Sequence, residues 1–179
     1  VKKNIVFTFV LMGLALSALP AADFGASVSA YPSPYYNGVW SLGLQGMGAG
    51  FQANFPLQGL LTPSKDKAPL YATVGAEFGL DSIGNQVIAP IGLGYRFYDD
   101  GRWRLGVEAT GQLGLALFRP MPLVMLGAEA RVAAAWFFSA KAGLEVSVGL
   151  RALYCPWYND NVAPFADYEI PVGLAIVWK

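Results

Sequence analysis

Residues 140–154 read AKAGLEVSVGLRALY, and almost every second position is apolar. Ala140, Ala142, Leu144, Val146, Val148, Leu150, Ala152 and Tyr154 share one parity. Lys141, Gly143, Glu145, Ser147, Gly149 and Arg151 share the other. A period of two marks a strand with one apolar and one polar face, because successive side chains point to opposite sides. A helix, at about 3.6 residues per turn, would scatter Lys141, Glu145 and Arg151 around more than one side. The run exceeds the roughly five or six residues usual in a soluble sheet and suits a tilted bilayer crossing, which takes roughly 9–11 residues.

The rest of the chain carries too few charges for an ordinary water-facing surface. Of its 179 residues, 55% are apolar and 13% charged, against about 25% charged in an average soluble domain. The length predicts one domain. The formal net charge is zero, with no basic patch, which argues against a nucleic-acid partner. Residues 1–22 have the parts of an export signal: Lys2 and Lys3, an apolar run from Ile5 to Ala18, then Leu19-Pro20-Ala21-Ala22 before Asp23. The expectation is a cleaved signal peptide over 1–22 and a barrel domain over 23–179, with an uncleaved anchor as the alternative. Beyond residue 22 no apolar run reaches the ~18 residues a transmembrane helix needs. The single cysteine, Cys155, cannot form an internal disulfide and stands far from the cleavage point where a lipoprotein would carry it.

Further segments repeat the period of two. Residues 24–31 set Phe24, Ala26, Val28 and Ala30 against Gly25, Ser27 and Ser29, and 32–38 supply turn chemistry. Residues 39–55 change phase, from Trp40, Leu42 and Leu44 to Met47, Ala49, Phe51, Ala53 and Phe55. One extra residue near Gln45-Gly46 reconciles them as a bulge; two short strands broken at Gly46 are the alternative. Residues 56–69 read as a loop with a polar tip. Strands are expected over 70–80, 87–98, 103–118, 123–137 and 165–178, with turns at 81–86, 99–102, 119–122 and 138–139 and an exposed loop over 155–164. Eight strands result.

Every charge within these strands falls on the polar parity: Glu77, Arg96, Arg104, Glu108, Glu129, Arg131, Lys141, Glu145, Arg151, Asp167 and Glu169. The signs nearly balance, as expected of groups that pair in a closed interior. The competing arrangement is a secreted soluble barrel of lipocalin type, turned so that the apolar face lines the lumen. Against it, the polar face is rich in glycine and alanine, which suit a crowded interior. Aromatic residues also gather near strand ends as membrane-interface girdles do, with Trp103, Phe97, Trp136 and Trp178 toward one rim and Tyr31, Trp40, Tyr154 and Tyr168 toward the other. Placing both termini in the periplasm brings the turns at 99–102 and 138–139 together as short periplasmic turns, with 56–69 a long connection at the same end. The predicted fold is all-β, an eight-stranded antiparallel up-and-down transmembrane β-barrel integral to an outer membrane.

The even strand count, the export signal and the pattern Gly173, Ile176, Trp178 near the end resemble the small eight-stranded outer-membrane β-barrel superfamily, which includes the OmpA transmembrane domain, OmpX and OmpW. The resemblance covers 23–179. It implies a lipid bilayer and the barrel insertion machinery as partners, and, through OmpW, transport of small solutes. Members usually end on an aromatic residue that the insertion machinery reads, whereas this chain ends Trp178-Lys179.

Chemistry has few candidates. Histidine is absent, which removes the usual general base. Lys141 and Ser147 share a face but lie roughly 20 Å apart along a strand, too far for a nucleophile and its base. Asp167 and Glu169 are about 7 Å apart, and salt bridging to Arg151 outweighs paired-carboxylate catalysis. No Cys, His and Asp cluster fits a metal, and no glycine-rich phosphate loop precedes a helix, so no catalytic residue, cofactor or metal is expected. Tyr35, Tyr36, Trp157 and Tyr158 suit adhesion less well than anchoring at the membrane rim. Two functions remain, the first the leading expectation and the second its alternative. One is a porin-like narrow or gated channel for small solutes. The other is a non-conducting structural or surface-interaction barrel, with Arg131 bridged to Glu145 and Arg151 to Asp167 across the lumen.

Overall fold

The computed structural model describes residues 23–36, 39–57, 69–81, 84–117, 122–156 and 165–179. They form β1 (Asp23–Tyr36), β2 (Val39–Pro56), β3 (Leu70–Asp81), β4 (Gly84–Asp99), β5 (Trp103–Leu117), β6 (Leu123–Phe137), β7 (Ala142–Cys155), β8 (Phe165–Glu169) and β9 (Val172–Trp178). Each strand from β1 to β7 pairs antiparallel with its chain neighbour, and β9 pairs with β7 on one edge and β1 on the other, which closes the sheet. β8 and β9 are two pieces of one stave, so the wall is an eight-stave up-and-down barrel. The expected signal segment, the tips of the outer turns and most of the connections at 58–68 and 157–164 lie outside the described residues.

The exposed face is the apolar one. Val28, Met47, Ile91, Leu113, Val132 and Leu150 stand out from the wall, while the opposite parity of the same strands turns inward and is mostly buried. The lipocalin-type inversion is thereby excluded. On the outer wall near the chain ends, Phe24 stacks on Phe51 with centroids 5.9 Å apart, and Trp178 lies 6.2 Å from Phe51. Ala53, beneath these rings, is fully buried.

Three irregularities have local causes. Tyr31 pairs with Gly46 and Pro32 with Leu44, so Gln45 is the extra residue of a bulge, and both Leu44 and Met47 face outward as the phase change requires. A second bulge at Phe97, between the pairs Arg96 with Gly106 and Tyr98 with Leu105, leaves Phe97 and Tyr98 both exposed. The eighth stave breaks at Pro171, which has no N–H to give a ladder. Its carbonyl still accepts from Gly149 N at 2.9 Å, and Ile170 N donates to Pro32 O at 3.0 Å. β8 then pairs with β7, and among the described residues no ladder joins it to β1.

That break also explains why β1 runs on through Pro32 and Pro34, where the sequence predicts a turn. The polar backbone atoms of Pro32 point toward the split stave, so its missing donor costs no ladder bond. Cys155 ends β7 with its side chain buried, rather than opening an exposed loop. Lys141 belongs to the exposed turn between β6 and β7, not to a strand. The tight turn between β4 and β5 is pinned by Asp99 Oδ1 accepting from Gly101 N at 2.9 Å and Asp100 Oδ1 accepting from Arg102 N at 2.9 Å and Trp103 N at 2.6 Å. Gly101 takes φ +87°, which glycine adopts without strain.

Candidate functional site: the charged lumen

The inward faces bring the charged side chains into three layers. Nearest the chain ends, the Asp23 carboxylate sits between Arg96 and Arg104, with Arg104 Nη1 at 2.8 Å. Arg104 Nε also reaches Asp99 Oδ2 at 3.2 Å. The guanidinium of Arg96 lies 4.5 Å from the Tyr71 ring centroid, and that of Arg104 lies 4.9 Å from Phe137.

In the middle layer Glu108 is the hub. It accepts from Tyr71 Oη at 2.7 Å, Gln52 Nε2 at 3.0 Å and Arg131 Nε at 2.6 Å, while Arg131 also donates to Gln52 Oε1. Arg131 was expected to bridge Glu145. Its bridge is instead to Glu108, directly opposite in the β5–β6 ladder, while Glu145 faces inward opposite Ala135 on β6 and Ala175 on β9, near enough for its charge to act on Arg131 without a bridge.

In the far layer one arginine serves three glutamates. Arg151 Nη1 is 2.8 Å from Glu77 Oε1 and 3.3 Å from Glu169 Oε2, and its Nε is 2.8 Å from Glu129 Oε2. Gln112 Nε2 adds donors to Glu129 at 3.1 Å and Thr110 at 2.7 Å, and the Tyr31 hydroxyl donates to Glu77. Arg151 was expected to bridge Asp167. The ladder sets it opposite Glu129 and Glu169, with Asp167 two residues along β8 opposite Leu153.

Apolar side chains cluster inside the wall toward each end. Ile88, Ala116, Met125, Leu153 and Cys155 pack together inside the far mouth. Ala135, Phe137 and Val177 do so near the chain ends. Between the middle and far layers lies a cavity of about 30 Å³ lined by Gln52, Thr73, Glu77, Thr110, Glu129 and Arg131 among others, room for one or two waters. A larger hollow of about 640 Å³ lies over the small outward residues Ala109, Gly111, Ala128, Ala130 and Ala152, and its walls are apolar.

Glu77, Arg96, Arg104, Glu108, Glu129, Arg131, Glu145, Arg151, Asp167 and Glu169 thus all belong to inward-facing positions, and Lys141 does not. Among the aromatic residues expected at the rims, Phe97, Trp103, Tyr154 and Tyr168 are exposed on the outer wall and Trp136 and Trp178 are half-buried there. The side chain of Trp40 lies outside the described residues. Tyr31 corrects the expectation: it is fully buried inside, over the space left by Gly48, whose Cβ would stand 1.8 Å from its hydroxyl. Its parity, shared with Gly25, Ser27 and Ser29, was the available signal. Tyr71 and Phe137 were missed for the same reason, as inward aromatics on a face read as polar. Gln52, Asp23 and Gln112 carried no signal beyond that parity.

The arrangement ties distant staves together across the lumen. Among the described residues no group of three Cys, Asp or Glu is placed to hold a metal. Asp100, in the turn outside the wall, has its carboxyl held below the ordinary carboxylate range, chiefly by the Trp103 amide and then by the Tyr98 hydroxyl.

No protein-family model matches the chain, and no curated protein matches it in sequence. Among solved structures, the N-terminal β-barrel domain of Pseudomonas aeruginosa OprF is similar with a TM-score of 0.57 at 12% identity, over 88% of this chain and 95% of that one. Neisserial surface protein A gives 0.54 at 12% identity over 87% and 96%. A de novo designed transmembrane β-barrel gives 0.50 at 13% identity over 89% and 96%. At such identities the likeness establishes the fold, that of the small eight-stranded outer-membrane barrels.

Proposed function

We propose that a chain with this fold is an integral outer-membrane protein whose lumen is closed at rest, a structural or surface-interaction barrel rather than an open pore. One observation supports the reading: three layers of paired charge cross the interior, with apolar clusters inside the wall toward each end, in a barrel of a size whose interior side chains alone can fill. The exposed apolar wall supports a bilayer around it, and the export signal supports delivery across an inner membrane, with both ends and the short turns at 99–102 and 138–141 in the periplasm. The insertion machinery is the partner this route requires. A catalytic role has no support from the lumen, which lacks histidine.

A gated conduit for small solutes is the second reading, favoured by the cavity between the middle and far layers. The separating experiment is single-channel recording in planar bilayers, with heat-modifiable gel mobility to show that the barrel has folded. Silence from folded protein is the expected result. Discrete current steps would overturn the closed reading in favour of the conduit.

A further inference from the structure

The inward arginines leave an uneven outer charge. Among the described residues the exposed cations are Arg102, Lys141 and Lys179, all at the rim that carries the chain ends, while Arg96, Arg104, Arg131 and Arg151 turn inward. Backbone contacts string the three along one arc. Phe137 N donates to Arg102 O at 2.8 Å, Lys179 N donates to Lys141 O at 2.9 Å, and Lys179 Nζ stands 4.1 Å from the Phe137 ring centroid. Beside the arc, on the outer wall, Trp103, Trp136 and Phe138 form a row with neighbouring centroids 6.5 and 6.1 Å apart.

The nearby acids offset only part of this charge. Asp99 is engaged by Gly101 N and Arg104 and also lies within the field of Lys179. Asp100 is the one exposed acid among the described residues, and its carboxylate is turned back onto the amides of Arg102 and Trp103 and the Tyr98 hydroxyl. With three exposed cations against the one exposed carboxylate among the described residues, the arc is net basic, directly beside aromatic rings and an apolar wall.

We propose that this arc is a docking surface for the anionic headgroups of phospholipids in the adjoining leaflet. The inference rests on the reading that the chain spans a membrane. Indole and phenyl rings favour the depth of the headgroup–hydrocarbon boundary, and basic side chains beside a bilayer gain from anionic lipid within a Debye length. A phospholipid carries both chemistries joined, a phosphodiester next to hydrocarbon, in the order in which the rim presents cations and then rings. Free phosphate would use only the cations, which are exposed and spread along an arc and so suit a headgroup layer better than a discrete ion.

The test is to refold the full protein into vesicles of phosphatidylcholine alone and of phosphatidylcholine mixed with phosphatidylglycerol, then to identify retained lipid by native mass spectrometry. Phosphatidylglycerol should be enriched over its share of the mixture. Arg102→Gln, Lys141→Gln and Lys179→Gln should each reduce the enrichment by up to about fivefold. The triple variant should abolish it while folding normally in phosphatidylcholine, and Lys141→Arg should keep it. Unchanged enrichment in the triple variant would overturn the docking surface and leave the spanning reading intact. Loss of enrichment to inorganic phosphate, but not to chloride at matched ionic strength, would overturn it in favour of a discrete anion site. Failure of the native chain to fold in phosphatidylcholine vesicles would sink the spanning reading itself, and the proposal with it.

Discussion

Replacing Arg151 with methionine removes the charge that three glutamates share and keeps most of the side-chain volume. The arginine side chain is 3% exposed, and Glu77, Glu129 and Glu169 lie within 2.8–3.3 Å of it. Taking one partner out of a buried ion pair costs about 3–5 kcal/mol, because the remaining charge stays desolvated and uncompensated. With three carboxylates dependent on one guanidinium the upper part of that range applies, less whatever the acids recover by taking up protons. At a urea dependence of about 1–3 kcal/mol per molar, the unfolding midpoint falls by at least about 1 M. The assay is a urea titration of the folded barrel in lipid vesicles, followed by gel mobility and tryptophan fluorescence. Arg131→Met is the comparator: that side chain is 21% exposed and serves Glu108 and Gln52, so its loss should cost less. Adding Glu77→Gln and Glu129→Gln to Arg151→Met should recover much of the stability. A midpoint for Arg151→Met above that of Arg131→Met, or no recovery in the combined variant, would refute the account of the far layer.

Three other outcomes are expected. Gly94→Ala places a Cβ 2.1 Å from Tyr71 Cζ, so the ring must swing off Glu108, at a cost of about 1–3 kcal/mol in urea unfolding; the same change in a Tyr71→Ala background should cost little, and an equal loss there would refute the clash. The depressed Asp100 carboxyl stabilises the turn above the ordinary carboxylate range and loses that contribution as pH falls through its folded value. Amide shifts of Arg102 and Trp103 should therefore titrate with a midpoint below that of a free aspartate, and a midpoint at or above it would contradict the turn. Cys155, 1% exposed in the far apolar cluster, should resist maleimide in the folded barrel and react after unfolding, and rapid labelling of folded protein would mean that the cluster is open.

Much of the architecture was legible because a closed barrel obeys a period of two from end to end. The bulge near Gln45 could be read from one phase change, and the inward placement of Glu108, Glu129 and Arg151 from parity alone. Parity cannot say which inward charges meet. That depends on register, and register put Glu108 against Arg131 and Glu129 against Arg151 where the closed-barrel alternative paired them with Glu145 and Asp167; the expected bridge from Glu169 to Arg151 did form. Composition also misled at Tyr31: an aromatic near a strand end resembles a rim anchor until the glycine opposite shows room for a ring. The expectation of one strand over 165–178 passed over Pro171, where the last stave breaks, and Leu153, an apolar residue on the polar face, was passed over as well.

The split stave gives the wall two different stiffnesses. Around the end that carries Asp23 and Lys179, the hoop of hydrogen bonds is complete, with β9 clamped on both edges. Toward the other mouth β8 is held along one edge, and a single bond from Ile170 to Pro32 spans the gap among the described residues. Amide hydrogens of β8 should accordingly exchange before those of β9. Pressed from the side, such a tube behaves like a cuff with a partly open seam: rigid at its base, compliant at its lip, and bound to flare where Tyr31 and Glu169 stand behind the slit.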